Sequence, residues 1–171
     1  MRVLWVNEAA DFVGGCEQYI FNTARLLGDR DVQSSLLYDC RHRFSTEFVK
    51  PFDHAFPMVD IQAQVAAIRP DLVYIHRLDD RKTIEAFIET GIPTVRFFHD
   101  TKLFCPREHR YTAISHQTCH KPMGMRCYFP CLGFVNRMDA FPGIRLNLVR
   151  TLRANIRANK RLHAFVVASR Y

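Results

Sequence analysis

Residues able to carry out chemistry are concentrated in the middle of this sequence, directly behind an apolar run. The stretch FFHDTKLFCP, residues 97–106, runs from two phenylalanines into His99 and Asp100, with Cys105 soon after. A histidine can exchange protons or donate hydrogen bonds near neutral pH, with its second ring nitrogen held by a carboxylate or a backbone carbonyl. The stretch therefore predicts a reactive histidine at a strand end, or one that only bonds to the backbone.

The second candidate site is a group of cysteines in this central region. Four of the six cysteines follow one another with the spacing C-x13-C-x7-C-x3-C, namely Cys105, Cys119, Cys127 and Cys131. Four thiolates can close a tetrahedral structural zinc site and so brace an irregular segment. Because the C-x2-C pairs of common zinc modules are missing, buried thiols and one or two disulfides stay open as alternatives. The other two, Cys16 and Cys40, are expected in the core.

The elements that must position these residues alternate along the chain. Apolar runs predict strands at 2–7, 32–39, 54–60, 71–76, 93–98 and 164–169. Helical spacing predicts helices at 16–29, 61–70, 80–91 and from Ile144 onward. This alternation predicts an α/β fold, a doubly wound, Rossmann-like parallel sheet with helices on both faces. We expect four central strands, 2–7, 71–76, 93–98 and 164–169, and a Cys-rich insertion at about 101–143.

Length and composition favour one domain without a membrane span. A chain of 171 residues fits a single domain with a full core. The N-terminal segment turns polar and acidic too early for a secretory signal, and no apolar run approaches the roughly 20 residues that span a bilayer. We therefore expect a cytoplasmic protein, whose reducing surroundings disfavour disulfides.

The formal net charge of +7 is local, because residues 140–171 hold seven Arg or Lys residues and no Asp or Glu. One face of the predicted C-terminal helix collects four of them, Arg150, Arg153, Arg157 and Arg161. Such a face attracts phosphates, nucleic acid or an anionic membrane surface, and a solvated helix face is the alternative. Peripheral contact with the inner face of the membrane is therefore one expectation.

Polar residues are predicted to gather at one edge of the sheet. In open α/β sheets, ligands bind at the carboxyl edge of the strands, where helix N-termini present free N–H groups. That edge would carry Asn7, Gly14 and Gly15 after the first strand, His76 and Arg77 after the strand at 71–76, His99 and Asp100 after the strand at 93–98, and Ser169 after the last. A Gly-Gly pair lets a phosphate approach the backbone closely, although on its own it is also typical of a tight turn.

Several of these motifs occur in an order that resembles a known family. RVLWVN, GGCE, PDLVYIH, IPTVRFFHD with a following Cys-Pro, and AFVVAS resemble the N-terminal domain of the family 4 glycosyltransferases, across essentially the whole chain. These are retaining enzymes with the GT-B architecture, in which two Rossmann-like domains act on a nucleotide sugar. The resemblance implies a sugar transfer from a nucleotide-sugar donor to a glycan or lipid-linked acceptor, with no cofactor required for catalysis.

The resemblance also implies roles for individual residues. It places Gly14 and Gly15 near the donor diphosphate and His99 at the transferred sugar or the reaction centre. Glu17 matches a loop glutamate of the family, with a structural or acceptor-facing role. We add His76 and Asp100 to the residues expected to contact substrate or donor.

The sequence departs from the family at its end and leaves two other functions open. Family members bind the nucleotide mainly on a second domain, whereas this sequence stops at Tyr171, so we expect the C-terminal donor-binding domain to be absent and the chain alone to be inactive. One alternative is a zinc-stabilised nucleic-acid-binding module that uses the basic helix, although the interleaved aromatic residues expected of such binders are lacking. The other is a nucleotide-binding α/β domain of another class.

Overall fold

The computed structural model describes most of the chain, in the ranges 1–108, 110–112, 117–129, 131–133, 135–137, 144–146 and 148–168. The chain divides into two compact units. The first comprises Met1–His99 and the segment from Arg161 onward, and the second comprises Asp100–Lys160. No helix within the described ranges is long and apolar enough to cross a bilayer.

A six-stranded, all-parallel sheet forms the centre of the first unit. The strands along the chain are β1 (Arg2–Asn7), β2 (Gln33–Tyr38), β3 (His54–Pro57), β4 (Leu72–Ile75), β5 (Thr94–Phe98), β6 (Val135–Arg137), β7 (Ile144–Leu146) and β8 (Ala164–Val167). The order in the large sheet is β3-β2-β1-β4-β5-β8, while β6 and β7 pair antiparallel in the second unit. The parallel sheet predicted from the sequence is therefore confirmed.

Four α-helices accompany the strands in the described ranges, α1 (Gly15–Gly28), α2 (Ile61–Ile68), α3 (Arg81–Glu89) and α4 (Val149–Asn159). Local capping explains where two of them begin. The Asp60 side chain accepts a hydrogen bond from the backbone N–H of Ala63 at 3.0 Å, and Asp80 does the same for Thr83 at 2.9 Å. Each bond satisfies one of the N–H groups that the first turn of a helix leaves unpaired.

Helices of the first unit cover both faces of the sheet, because alternate residues of β1 belong to different clusters of the core. Val3 and Trp5 pack in a cluster with Ile20 of α1. Leu4 and Val6 pack in another, which also contains three residues of α2 and α3, namely Val65, Ile84 and Phe87. Burying one such side chain contributes roughly 1.5–3 kcal/mol, so the two clusters fix the sheet between its helices.

Three expectations about individual elements were wrong. The run at 164–169 does contain a parallel strand, but β8 pairs with β5 at an edge of the described sheet and is not central. An apolar run alone does not reveal how many neighbours a strand has, and Phe165 and Val167 are half exposed.

The helix predicted from Ile144 begins at Val149, because Ile144–Leu146 pairs with β6 as a strand. Cys40 is exposed beyond the end of β2 rather than packed in the core.

Candidate functional site

The candidate site lies at the carboxyl edge of three neighbouring strands in the first unit. Asn7 is the last residue of β1, His76 directly follows β4, and His99 directly follows β5. Because β1, β4 and β5 are adjacent and parallel, the ends of these strands meet at one edge of the sheet. The expectation that His76 and His99 share this edge is borne out by the strand order.

The two histidines contact each other directly. Nδ1 of His76 and Nε2 of His99 are 3.0 Å apart, which is a hydrogen-bond distance. One ring N–H donates this bond and the other ring nitrogen accepts it, and the tautomers decide which is the donor. The ring of His99 also stacks on Phe97, with centroids 4.1 Å apart, and meets Tyr19 edge-on at 6.0 Å. His99 is thereby held in one orientation by β5 and by its histidine partner.

His76 is the buried member of the pair. It is 1% exposed and lies between aromatic rings, stacked on Trp5 at 5.4 Å and packed against Tyr74 at 4.4 Å. Loss of hydration and the neighbouring His99 together lower the pKa of His76 to about 3. His76 is therefore neutral at physiological pH, and its Nε2 has no hydrogen-bond partner among the described residues. A neutral, immobile imidazole is well suited to fix the tautomer of His99.

Asp100, the nearest carboxylate in sequence, has a different bond. Its Oδ1 accepts the backbone N–H of Lys102 at 2.9 Å, within the second unit. The partner of His99 is a histidine that precedes it by 23 residues, not the adjacent aspartate. Strand pairing in space supplies this partner, which local sequence could not identify. A substrate-binding role for Asp100 stays a prediction.

Asn7 connects the parts of this edge. Its Nδ2 donates to the carbonyl of Ala9 at 2.8 Å and to Glu17 Oε1 at 3.2 Å, while its Oδ1 accepts the backbone N–H of Arg77 at 3.2 Å. The residue is fully buried. One side chain thus ties the end of β1 to the first turn of α1 and to the chain after β4. Sequence reasoning placed Asn7 at this edge, as a polar residue ending an apolar strand, but assigned it no role in the site.

Glu17 is a buried carboxyl group beneath the start of α1. It is 1% exposed, its Oε1 lies 3.8 Å from an Arg77 guanidinium nitrogen, and its Oε2 has no hydrogen-bond partner within the described part of the chain. A Cβ at Gly14 would lie 3.8 Å from that Oε2, in ordinary contact distance. Of the two roles expected for Glu17, burial and its bond from Asn7 favour the structural one.

The glycine pair leaves the start of α1 uncovered. Gly14 has extended backbone, with φ at −172°, which other residues also adopt, so the local backbone does not require glycine there. A Cβ added at Gly15 would meet no atom of the described residues within 4 Å. The open space above Gly15, next to the N-terminal turn of α1, is compatible with an approaching anionic group.

A metal-ligand cluster is present at the same edge. One ligand atom from each of Cys16, His76 and His99 lies within 4.8 Å of the other two, so these residues could hold a metal ion. Cys16, at the first turn of α1, also places its sulfur 4.0 Å from Asn7 Oδ1. Cys16 packs against the core cluster of Val3, Trp5 and Ile20, as expected, and its sulfur in addition reaches the polar residues of the edge.

The four cysteines of the central region are all thiols, and they line one cavity of about 980 Å³ in the second unit. No three of these four sulfurs lie close enough together to bind one metal ion, among the residues whose side chains are described. Zinc on Cys105, Cys119, Cys127 and Cys131 stays a prediction that the arrangement does not support. His109 and His116, which are interleaved with them, lie outside the described residues.

The basic residues of α4 occupy its solvent side. Arg150, Arg153 and Arg157 are exposed, whereas Val149 and Leu152 are buried. Arg161 is exposed as well and belongs to the first unit. The predicted basic face is thus present on the helix, and its ligand stays a prediction.

Comparison with known proteins adds no family to these observations. No protein-family model matches the chain, and no curated protein matches it either. The functional interpretation therefore rests on the fold, on the histidine pair at the carboxyl edge, and on the motifs themselves.

Proposed function

We propose that this chain is the N-terminal, acceptor-side domain of a retaining GT-B glycosyltransferase, which transfers a sugar from a nucleotide-sugar donor to a glycan or lipid-linked acceptor. The observation that carries the proposal is the His76–His99 pair. The two histidines follow the adjacent strands β4 and β5 at the carboxyl edge of a parallel sheet. A nucleotide sugar presents a diphosphate and a reactive anomeric carbon, and this edge offers groups suited to each.

The diphosphate is matched by the start of α1. Backbone N–H groups in the first turn of a helix and the positive end of its dipole favour phosphate oxygens. The open space at Gly15 allows those oxygens to reach the backbone. Neutralisation of the buried Glu17 carboxylate by Arg77 reduces the repulsion that an anionic donor would otherwise meet.

The anomeric centre is matched by His99, which is partly exposed, whereas His76 is buried. An oriented imidazole can bond to a sugar hydroxyl or stabilise charge that develops as the glycosidic bond breaks. His76 is a positioning residue in this proposal, because it acts by holding the ring of His99 at 3.0 Å.

The test is a transfer assay on the protein together with the donor-binding domain, in one polypeptide or as a separate subunit. A panel of nucleotide sugars is supplied with glycan and lipid-linked acceptors, and release of nucleoside diphosphate and the anomeric configuration of the product are measured. We expect one donor class to be consumed with retention. Failure of every donor, with binding of plain nucleotides at Gly14 and Gly15, would instead indicate a nucleotide-binding domain of another class.

If the acceptor is lipid-linked, the exposed arginines of α4 should assist attachment to an anionic bilayer. Near such a surface each basic residue contributes about 1 kcal/mol, and salt weakens the attraction. We expect the triple variant Arg150→Gln, Arg153→Gln, Arg157→Gln to bind anionic vesicles at least about tenfold more weakly in co-sedimentation.

The matched control removes three exposed basic residues of the first unit, Arg25, Arg30 and Lys82, by the same change to glutamine. Its vesicle binding should stay closer to that of the parent protein. Equal binding of the parent protein to neutral and anionic vesicles, or to neither, would leave the arginines of α4 as a solvated face.

A further inference from the structure

Three potential metal ligands converge at the carboxyl edge from three separate elements. Cys16 comes from the first turn of α1, His76 from the end of β4 and His99 from the end of β5, with their ligand atoms within 4.8 Å of one another. A tetrahedral zinc ion with Zn–S of about 2.3 Å and Zn–N of about 2.0–2.1 Å holds its ligand atoms roughly 3.3–3.6 Å apart. The pair of ring nitrogens, at 3.0 Å, needs to open by only a few tenths of an ångström.

We propose that Cys16, His76 and His99 form a binding site for a borderline-soft divalent metal, zinc in the first instance, with the fourth position open to solvent. One sulfur and two imidazole nitrogens are the donors that zinc selects, whereas magnesium and calcium require oxygen ligands. The site differs from the four-cysteine site expected from the sequence, and it lies wholly in the first unit.

The surrounding structure holds two of the ligands in place before a metal arrives. His76 is packed between Trp5 and Phe97, with ring planes inclined by 16° and 17° to its own, and His99 stacks on Phe97. Rigid imidazoles lose little conformational entropy on binding, which favours affinity. The N-terminal end of α1 also favours the negative charge of a bound Cys16 thiolate.

The fourth position is best assigned to solvent. Asn7 Oδ1 lies 4.0 Å from the Cys16 sulfur, but it already accepts the backbone N–H of Arg77. His99 is partly exposed, so a water molecule can approach the site from its side. Three protein ligands with one exchangeable position make a metal site accessible to small molecules, unlike a closed structural site.

Metal binding has one consequence that rests on the proposed function. Nε2 of His99, which faces His76, would be occupied by the metal, and the ring would lose the partner that orients it. Zinc should therefore inhibit sugar transfer. The binding site itself does not depend on that activity, so the test below reads metal ligation alone.

The test is a zinc titration of the chain with ¹⁵N-labelled histidine, followed by ring-nitrogen NMR. Of the eight histidines in the sequence, we expect His76 and His99 to show the ring-nitrogen shifts of metal ligation at one equivalent of zinc. Magnesium should cause none. Zinc that binds without affecting these two rings, for instance at the other cysteines, would overturn the proposal.

Two variants make the test specific. Cys16→Ser should weaken zinc affinity by about 100-fold or more, since even loss of a residue that only supports a metal ligand costs 10–100-fold. Cys40→Ser, at an exposed cysteine, is the matched control and should bind zinc like the parent protein. His99→Gln provides a second ligand deletion with the same expected loss. Unchanged affinity in both ligand variants would also overturn the proposal.

Discussion

Replacement of His99 by glutamine is expected to lower kcat for the proposed sugar transfer by about 10²-fold or more, when the protein is assayed with the proposed donor-binding domain and a chelator present. Glutamine can keep a hydrogen bond to His76 but cannot exchange a proton near neutral pH or carry the charge of an imidazolium. The loss should appear in kcat more than in KM, because the interaction strengthens toward the transition state.

Comparison with His99→Ala separates chemistry from packing. Alanine also removes the stack on Phe97 and leaves the buried Nδ1 of His76 without its partner, at a cost of about 1–3 kcal/mol in the free energy of unfolding. We therefore expect both variants to lose turnover, and the alanine variant to melt at a clearly lower temperature. Although His99 follows the end of a strand, its stack on Phe97 and its bond to His76 give it packing to lose.

An exposed histidine supplies the control for these variants. His42→Ala, in the same unit, should leave both kcat and the melting temperature near those of the parent protein. Near-normal turnover of His99→Gln would remove the residue from the mechanism. Loss of folding in both His99 variants would show that the histidine serves the structure only.

The sequence was sufficient for the sheet and for the shared edge of the two histidines. Short, continuous apolar runs with helical runs between them define alternating strands and helices, and parallel strands place their carboxyl ends together. The strands β1, β4 and β5 are central as predicted, although β8 is equally short and apolar and lies at an edge of the described sheet. That pattern also explains why His76 and His99 could be expected at one edge.

The contacts within the edge could not be predicted, because they depend on which strands are neighbours and on side-chain directions. His99 bonds to His76 rather than to Asp100, and Cys16 joins the pair as a third potential ligand only through the position of α1. The edge position of β8 could not be predicted for the same reason. A short strand has the same apolar pattern whether it pairs with one neighbour or with two. These are properties of the tertiary structure, which local periodicity does not contain.

Asn7 should be the residue of this edge whose loss destabilises the fold most. Asn7→Ala removes two donated and two accepted hydrogen bonds, and takes their partner from the Ala9 carbonyl, Glu17 Oε1, the Arg77 N–H and the Cys16 thiol. At about 1–3 kcal/mol for each unsatisfied buried group, we expect a loss of about 3 kcal/mol or more in the free energy of unfolding. That is a large part of the 5–15 kcal/mol typical of a domain. Urea unfolding measures it directly.

Asn7→Asp distinguishes a lost hydrogen bond from a lost shape. The aspartate has nearly the same volume and keeps an oxygen that can accept the Arg77 N–H. The other atom of its side-chain group becomes a carboxylate oxygen in place of the NH₂ donor, and it faces Glu17 Oε1 at 3.2 Å and the Ala9 carbonyl at 2.8 Å. Two facing carboxylates repel each other until one takes up a proton, so the protonated form is favoured in the fold relative to the unfolded chain. Stability relative to the parent protein should therefore be poorest near neutral pH and should recover as the pH falls.

Asn22→Ala, on α1, is the control and should change the free energy of unfolding by less than about 0.5 kcal/mol. If Asn7→Asp were as stable as the parent protein at neutral pH, the amide would not be the donor that connects β1 to Glu17, and the connection between the strand end and α1 would have to be carried by backbone bonds alone.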